Sequence, residues 1–171
     1  EIGGKPFVGM SGKLLNTLLL EAGIIREECL ITNVFMQRPK NNEITQFFIK
    51  RSEAKKLGYT SPFPAYGQNG FLLKEYEGEI ERLKAEVLSV SPNLVVVLGA
   101  TPLWATTKLC GISDYRGRLV WSSLLNCKVL PIFHPAYILR NWSARPIAAI
   151  DFNLAKLECE FSEIRRASRN I

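Results

Sequence analysis

Leu14, Leu15, Leu18 and Leu19 recur at the three- and four-residue spacing that puts side chains on one face of an α-helix. Ser11 precedes them as a predicted N-cap, and Gly23 follows as a stop. Leu30-Ile-Thr-Asn33 reads as a short strand and 38–42 as a loop. A helix is expected from Gln46 to Lys56, then a turn-rich aromatic stretch from Gly58 to Gly70 that reads as an excursion from the core. From Glu75 to Ser89 helical spacing returns, with Ile80, Leu83, Val87 and Leu88 as the inner face, until Ser91-Pro92 ends it. Asn93 to Leu98 is a continuous apolar run, the pattern of a strand buried on both faces. Thr101 and Pro102 open the next helix as cap and first turn, and Gly111 closes it. Leu119 to Trp121 and Lys128 to Phe133 are two further strands. A last helix is expected from about Pro146 to Arg166, with Ile147, Ile150, Leu154, Leu157 and Phe161 inward.

Helices alternating with strands predict an α/β domain spanning 1–171, with an insertion at about 43–74. The expected architecture has three layers, αβα, around a central, mainly parallel four-stranded sheet. The opening residues read as a loop that ought to follow a strand, so a first strand is expected to lie upstream of them. In this grammar one stretch stands out. The strand ending at Phe133 runs into His134, the single histidine of the chain, and Pro135 stops the strand there. The histidine is thus presented at the carboxyl end of a strand, where open α/β sheets bind ligands.

Composition narrows the partners. Lys and Arg number 22 against 16 Asp and Glu, so the net charge of +6 favours an anionic partner such as nucleic acid. No apolar run reaches the ~20 residues of a membrane span, and the first residues do not read as a signal peptide. Cys29, Cys110, Cys127 and Cys159 are scattered without a C-x-x-C pair, which reads as buried free thiols of a cytoplasmic protein, as in a bacterial or phage-infected cell. Neither a P-loop nor a G-x-G-x-x-G is present, which argues against a nucleotide-binding α/β protein.

Several short stretches, taken in order, carry a resemblance. They are Gly4-Lys-Pro-Phe-Val-Gly9, Ser11-Gly-Lys-Leu-Leu15, Ala22-Gly-Ile24, Ile31-Thr-Asn-Val34, Arg38-Pro39, Val95-Val-Val-Leu-Gly-Ala100, Arg116-Gly117 and His134-Pro-Ala-Tyr-Ile-Leu-Arg140. The series resembles the uracil-DNA glycosylase superfamily, nearest its family 4 and phage polymerase-associated branch. It covers most of the chain outside 43–74. The resemblance implies a monofunctional glycosylase that flips out uracil or another modified pyrimidine and hydrolyses its N-glycosidic bond, leaving an abasic site.

It also implies roles. The transition state has an electron-poor sugar and an electron-rich leaving base, so a donor aimed at the developing anion contributes on the order of 3 kcal/mol. His134 takes that role, aimed at the pyrimidine O2. Asn33 reads the base edge, because one carboxamide matches the O4 and N3–H pattern of uracil. Phe7 stacks on the flipped base. Gly9, Ser11, Gly12 and Lys13 meet a phosphate at a helix N-terminus. Pro135 to Arg140 forms a loop entering the minor groove, with Tyr137 or Ile138 filling the gap left by the base and Arg140 on the backbone.

The chain departs from the family pattern in three ways. The first catalytic motif, Gly-Glu-Ala-Pro-Gly or similar, is expected upstream of Glu1, and Glu1 is the nearby carboxylate or its neighbour. Of the four cysteines that hold an iron-sulfur cluster in many relatives, two fall upstream. The others are missing where this chain reads Phe35-Met-Gln-Arg38 and within 43–74, so no cluster is expected. The insertion is the third departure. Its Lys50, Arg51, Lys55 and Lys56, with Phe63, Tyr66 and Phe71, are candidates for binding DNA, lining a larger base pocket or docking a replication or repair partner; the alternative is a family-specific decoration with no separate role. The expected protein is a monomer. The competing reading is a catalytically weak or inactive glycosylase-fold domain that binds DNA in replication or phage-related DNA processing.

Overall fold

The computed structural model describes Phe7 and residues 9–165. Helix α1 spans Met10–Glu21 and buries Leu14, Leu15, Leu18 and Leu19, as the leucine spacing required. It ends in a Schellman turn: Gly23 at φ +69° lets its N–H reach the Leu20 carbonyl, while the Ile24 N–H reaches that of Leu19. The start differs from expectation. Gly9 is the N-cap and no side chain caps the helix, so Ser11 lies inside its first turn.

The central sheet has three strands among the described residues, β3 (Leu94–Leu98), β4 (Val120–Ser122) and β5 (Cys127–Ile132), in the order β3-β5-β4. β3 and β5 are parallel, with Leu94 beside Lys128 and Leu98 beside Ile132, and β4 is antiparallel to β5. The expected four-stranded, mainly parallel sheet is therefore a mixed three-stranded one here. Leu30–Asn33 forms no strand among the described residues, although Cys29 before it is extended. The outer edge of β3 consequently has no pairing neighbour among the described residues, and only Val97 of its five residues is fully buried. The expectation of a strand buried on both faces holds instead for β5, where all six residues are buried.

Alternation along the two parallel strands separates the layers. Leu94, Val96, Leu98, Leu130 and Ile132 pack with α1, α6 (Pro135–Arg140) and α7 (Arg145–Glu158). Val95, Val97, Cys127 and Val129 face α3 (Glu77–Val90), α4 (Ala100–Thr107) and α5 (Ile112–Tyr115). The result is the three-layer αβα arrangement.

Several boundaries moved. Helix α3 buries Ile80, Leu83 and Val87 but leaves Leu88 exposed. α4 is capped by Gly99, two residues before Thr101, and ends at Lys108 in the left-handed region rather than at Gly111. α7 stops at Glu158 and turns a different stripe inward: Ala148, Asp151, Phe152 and Ala155 are buried, whereas Ile147, Ile150 and Leu157 are exposed. The choice follows from Asp151, whose carboxylate accepts from Arg116 Nε at 3.0 Å and also pairs with Nη2. A buried charge must be paired, and the turn at Arg116 supplies that pair from the sheet side. Phe161 lies past the helix, where its ring covers the fully buried Lys128 ammonium at 3.9 Å; that ammonium also donates to the Glu158 carbonyl and carboxylate, each at 2.8 Å.

The Gly58–Gly70 turns are not an excursion from the core, because the 43–74 stretch around them is built into it. That stretch folds as a short antiparallel pair, β1 (Phe48–Ile49) with β2 (Phe71–Leu72), around α2 (Arg51–Leu57). Phe47, Phe48, Ala54 and Leu72 are buried. Phe48 and Tyr66 each place a ring 5.3 Å from that of Trp104, Trp104 Nε1 donates to the Pro64 carbonyl at 3.1 Å, and Phe63 packs alongside. These aromatics cover the tryptophan of α4. That assigns Phe63 and Tyr66 to packing rather than to a free DNA-binding face. Gly70 is obligatory there, at φ +98° with the Ile49 carbonyl where a Cβ would sit.

Candidate active site

His134 is the last residue before α6 and caps that helix. Its Nδ1 accepts from the Ala136 N–H at 3.0 Å, with Pro135 at the first helical position. The stretch after His134 is thus a six-residue helix, not a loop. The cap bond fixes the chemistry of the ring. A nitrogen that accepts carries no proton, so the neutral imidazole keeps its proton on Nε2. Burial, and then the nearby Arg140 charge, hold the histidine pKa below its ordinary value. At neutral pH the ring is therefore an uncharged donor through Nε2.

Two neighbours, Gly99 and Phe7, pack against the ring. Gly99, at the end of β3, has φ +96°, and a Cβ there would lie 3.2 Å from His134 Cβ. Its N–H donates to the Ile132 carbonyl at 2.9 Å, which ties the ends of the two parallel strands together beneath the histidine. Phe7 stacks on the imidazole with centroids 5.6 Å apart. The Phe7 carbonyl occupies the space where a Cβ of Gly12 would be. Gly12 is buried, and what it contributes here is room for the Phe7 backbone.

A cavity of about 1450 Å³ opens in front of these groups. Phe7, Gly9, Ser11, Gly12, Asn33, Gly99, Thr101, His134 and Arg140 all line it, so the fold gathers from four separate parts of the chain most of the residues singled out in the sequence. It exceeds the ordinary range of small-molecule sites because it continues along the edge of β3 that no described strand pairs, lined by Leu94–Leu98 and by the Leu30–Val34 stretch. Asn33 is half-buried, and its carboxamide makes no hydrogen bond to a described residue.

The remaining expected residues divide. Lys13 is exposed on α1, Arg140 is exposed at the cavity rim, and Pro135 is buried. Ile138 has no exposed surface and packs among Leu14, Leu15, Leu130 and Phe152, which excludes it as a minor-groove wedge. Tyr137 and Leu139, each 38% exposed, flank it on the outside of α6. The six-residue helix decides this: adjacent positions in a helix do not share a face, so burying Ile138 turns its neighbours outward. Glu1 lies outside the described residues.

No group of three or more His, Cys, Asp or Glu among the described residues is placed to hold a metal ion. The expectation of buried thiols holds for Cys127 in β5 alone, since Cys29, Cys110 and Cys159 are exposed. These residues do not supply the four converging thiolates of an iron-sulfur cluster. Two residues have no site role in the sequence reading: Gly99, which appears there only within the Val95–Ala100 motif, and Arg82. Gly99 carried a signal, since glycine directly after an apolar strand marks a backbone in close approach. Arg82 carried none, because a single arginine on an amphipathic helix looks like solvated surface.

A three-layer αβα domain with an uncharged histidine donor over a large cleft, at the carboxyl ends of parallel strands, defines a ligand-binding α/β protein built for acid-base or electrostatic catalysis. Comparison with known sequences makes this specific. Residues 2–158 match the family model of the uracil DNA glycosylase superfamily. The type-4 uracil-DNA glycosylase of Thermotoga maritima is 36% identical over 158 residues, which cover 90% of this chain and 68% of that protein. Those of Saccharolobus solfataricus and Archaeoglobus fulgidus are each 29% identical, over 164 and 161 residues, covering 64% and 67% of their lengths. The chain belongs to the uracil-DNA glycosylase superfamily, whose members are DNA glycosylases. It spans about two-thirds of the length of these relatives.

Proposed function

We propose that this protein flips uracil out of DNA and hydrolyses its N-glycosidic bond, leaving an abasic site. The observation that carries the reading is the His134 cap, which commits Nδ1 as acceptor and leaves Nε2–H as donor at the cavity. In the reaction, water attacks the sugar C1′, the C1′–N1 bond breaks, and the bonding pair passes to the base. Negative charge develops on O2, where a hydrogen bond from Nε2–H stabilises it by on the order of 3 kcal/mol. A neutral donor suits this role, because its proton is shared without being lost. Asn33 reads O4 and N3–H with its free carboxamide, and Phe7 moves from the imidazole face to stack on the incoming base. Ser11, Gly12 and Lys13 at the start of α1, with Pro135 and Arg140, hold the DNA backbone. Tyr137 or Leu139 fills the vacated stack in place of Ile138. Glu1 or its neighbour holds the water.

Around that core we place a single glycosylase-like domain acting as a cytoplasmic monomer without an iron-sulfur cluster. The type-4 names of the relatives support the family 4 placement, while the phage polymerase-associated affinity rests on the motif series. The 43–74 segment offers a partner the exposed basic residues Lys50, Arg51, Lys55 and Lys56 of α2 and its cap. Incubating the full-length protein with uracil-containing oligonucleotide should yield alkali-labile sites. If neither uracil nor modified-cytosine DNA yields any, the enzymatic reading falls and a DNA-binding domain takes its place. Chelators should leave the absorption spectrum unchanged; a broad visible band lost on chelation would overturn the cluster-free reading.

A further inference from the structure

Among the described residues, no strand ladder holds the segment that presents Asn33. Leu30–Asn33 belongs to no strand or helix, and its fixed points are the buried side chains of Val34 and Phe35 just beyond. What grips its backbone is one side chain of α3. Arg82 Nη2 donates to the Asn33 carbonyl at 2.7 Å and to the Val34 carbonyl at 3.0 Å. The same guanidinium donates from Nε to Glu79 at 2.8 Å and from Nη1 to Glu86 at 2.7 Å. Glu86 accepts in turn from the Thr32 hydroxyl at 2.6 Å, and Glu79 accepts from the Met36 N–H at 3.5 Å. The three side chains form a clamp reaching four residues of the segment, from Thr32 to Met36.

Only a planar guanidinium, with donors in a fixed fork, serves two carboxylates and two carbonyls at once. The two glutamates also neutralise it, so Arg82 is poorly suited to a phosphate. Its donors go to the two glutamates and, on the segment, to backbone oxygens, and the Asn33 carboxamide makes no hydrogen bond to a described residue. We propose that Arg82 is a positioning residue that sets base selectivity by fixing the Asn33 backbone. This rests on the reading of Asn33 as the base-edge contact. A misplacement of about 1 Å in such a contact costs up to ~100-fold in rate, so loss of the clamp should be felt in discrimination more than in stability.

The test is a double-mutant cycle in the full-length protein, reading the ratio of kcat/KM for uracil over cytosine in otherwise identical oligonucleotides, with thermal unfolding alongside. Asn33→Ala should lower the ratio strongly. Arg82→Ala should lower it about tenfold, and by far less when Asn33 is already alanine. Arg82→Lys keeps the charge between Glu79 and Glu86 but has one nitrogen for three. It should recover thermal stability and leave the ratio low, which keeps the test decisive if Arg82→Ala fails to fold. A ratio unchanged in Asn33→Ala overturns the base-edge reading itself. A ratio lowered there but unchanged in Arg82→Ala and Arg82→Lys overturns the positioning role alone, as does an equal further loss from Arg82→Ala in the Asn33→Ala background.

Discussion

His134 has two jobs at one ring, and they can be separated. Its Nδ1 caps α6 through the Ala136 N–H, and its Nε2 is the free donor. His134→Ala removes both. Loss of a side-chain cap costs about 1 kcal/mol of stability, and loss of one donor aimed at a developing anion costs about 3 kcal/mol of transition-state stabilisation, on the order of a 100-fold drop in kcat. His134→Asn separates them. Asparagine is among the best N-caps, because its Oδ1 accepts the same N–H, but its amide nitrogen ends closer to the backbone than Nε2 and falls short of the base. The asparagine variant should unfold at the wild-type denaturant midpoint and still lose on the order of 100-fold in kcat, whereas alanine loses both. Urea unfolding and single-turnover release of uracil measure the two quantities on the same preparations. Full activity in either variant would refute the donor assignment. An asparagine variant as unstable as the alanine one would refute the capping account.

Gly99→Ala should lower both stability and rate, by about 1–3 kcal/mol in unfolding free energy, because φ +96° disfavours any side chain and the new Cβ meets His134 Cβ at 3.2 Å; urea titration and steady-state kinetics report it. Ile138→Ala should destabilise the fold by about 2–5 kcal/mol as a core truncation, while Leu139→Ala should cost little stability and reduce turnover on duplex more than on single-stranded substrate. Because the folded His134 pKa lies below its unfolded value, the unfolded chain binds the extra proton first as pH falls. Its contribution to stability is therefore complete above the ordinary histidine range and declines with acid through that range. Protonation also removes the Nδ1 acceptor, so the acid limb of the rate profile should lie below the ordinary histidine pKa and vanish from the profile of His134→Asn.

The sequence determined the parts that local physics controls. Leucine spacing set α1, the apolar run before His134 set β5, and a proline directly after a lone histidine placed that histidine at a strand end. Periodicity failed where two stripes competed. In α7 the apolar Ile147, Ile150 and Leu157 lost to a stripe containing Asp151, because the partner that makes a buried aspartate tolerable, Arg116, is 35 residues away. The aromatic 58–70 stretch looked like surface because its turns are local, whereas the ring it covers, Trp104, is not. The same limit governs the site. The strand-end position named His134 and the family resemblance added Asn33 and Phe7, but only the tertiary structure put them on one cavity, chose the proton-bearing nitrogen of the histidine and withdrew Ile138 into the core. Those outcomes depend on which backbone groups meet across the sheet and its helices, and no window of neighbouring residues contains that information.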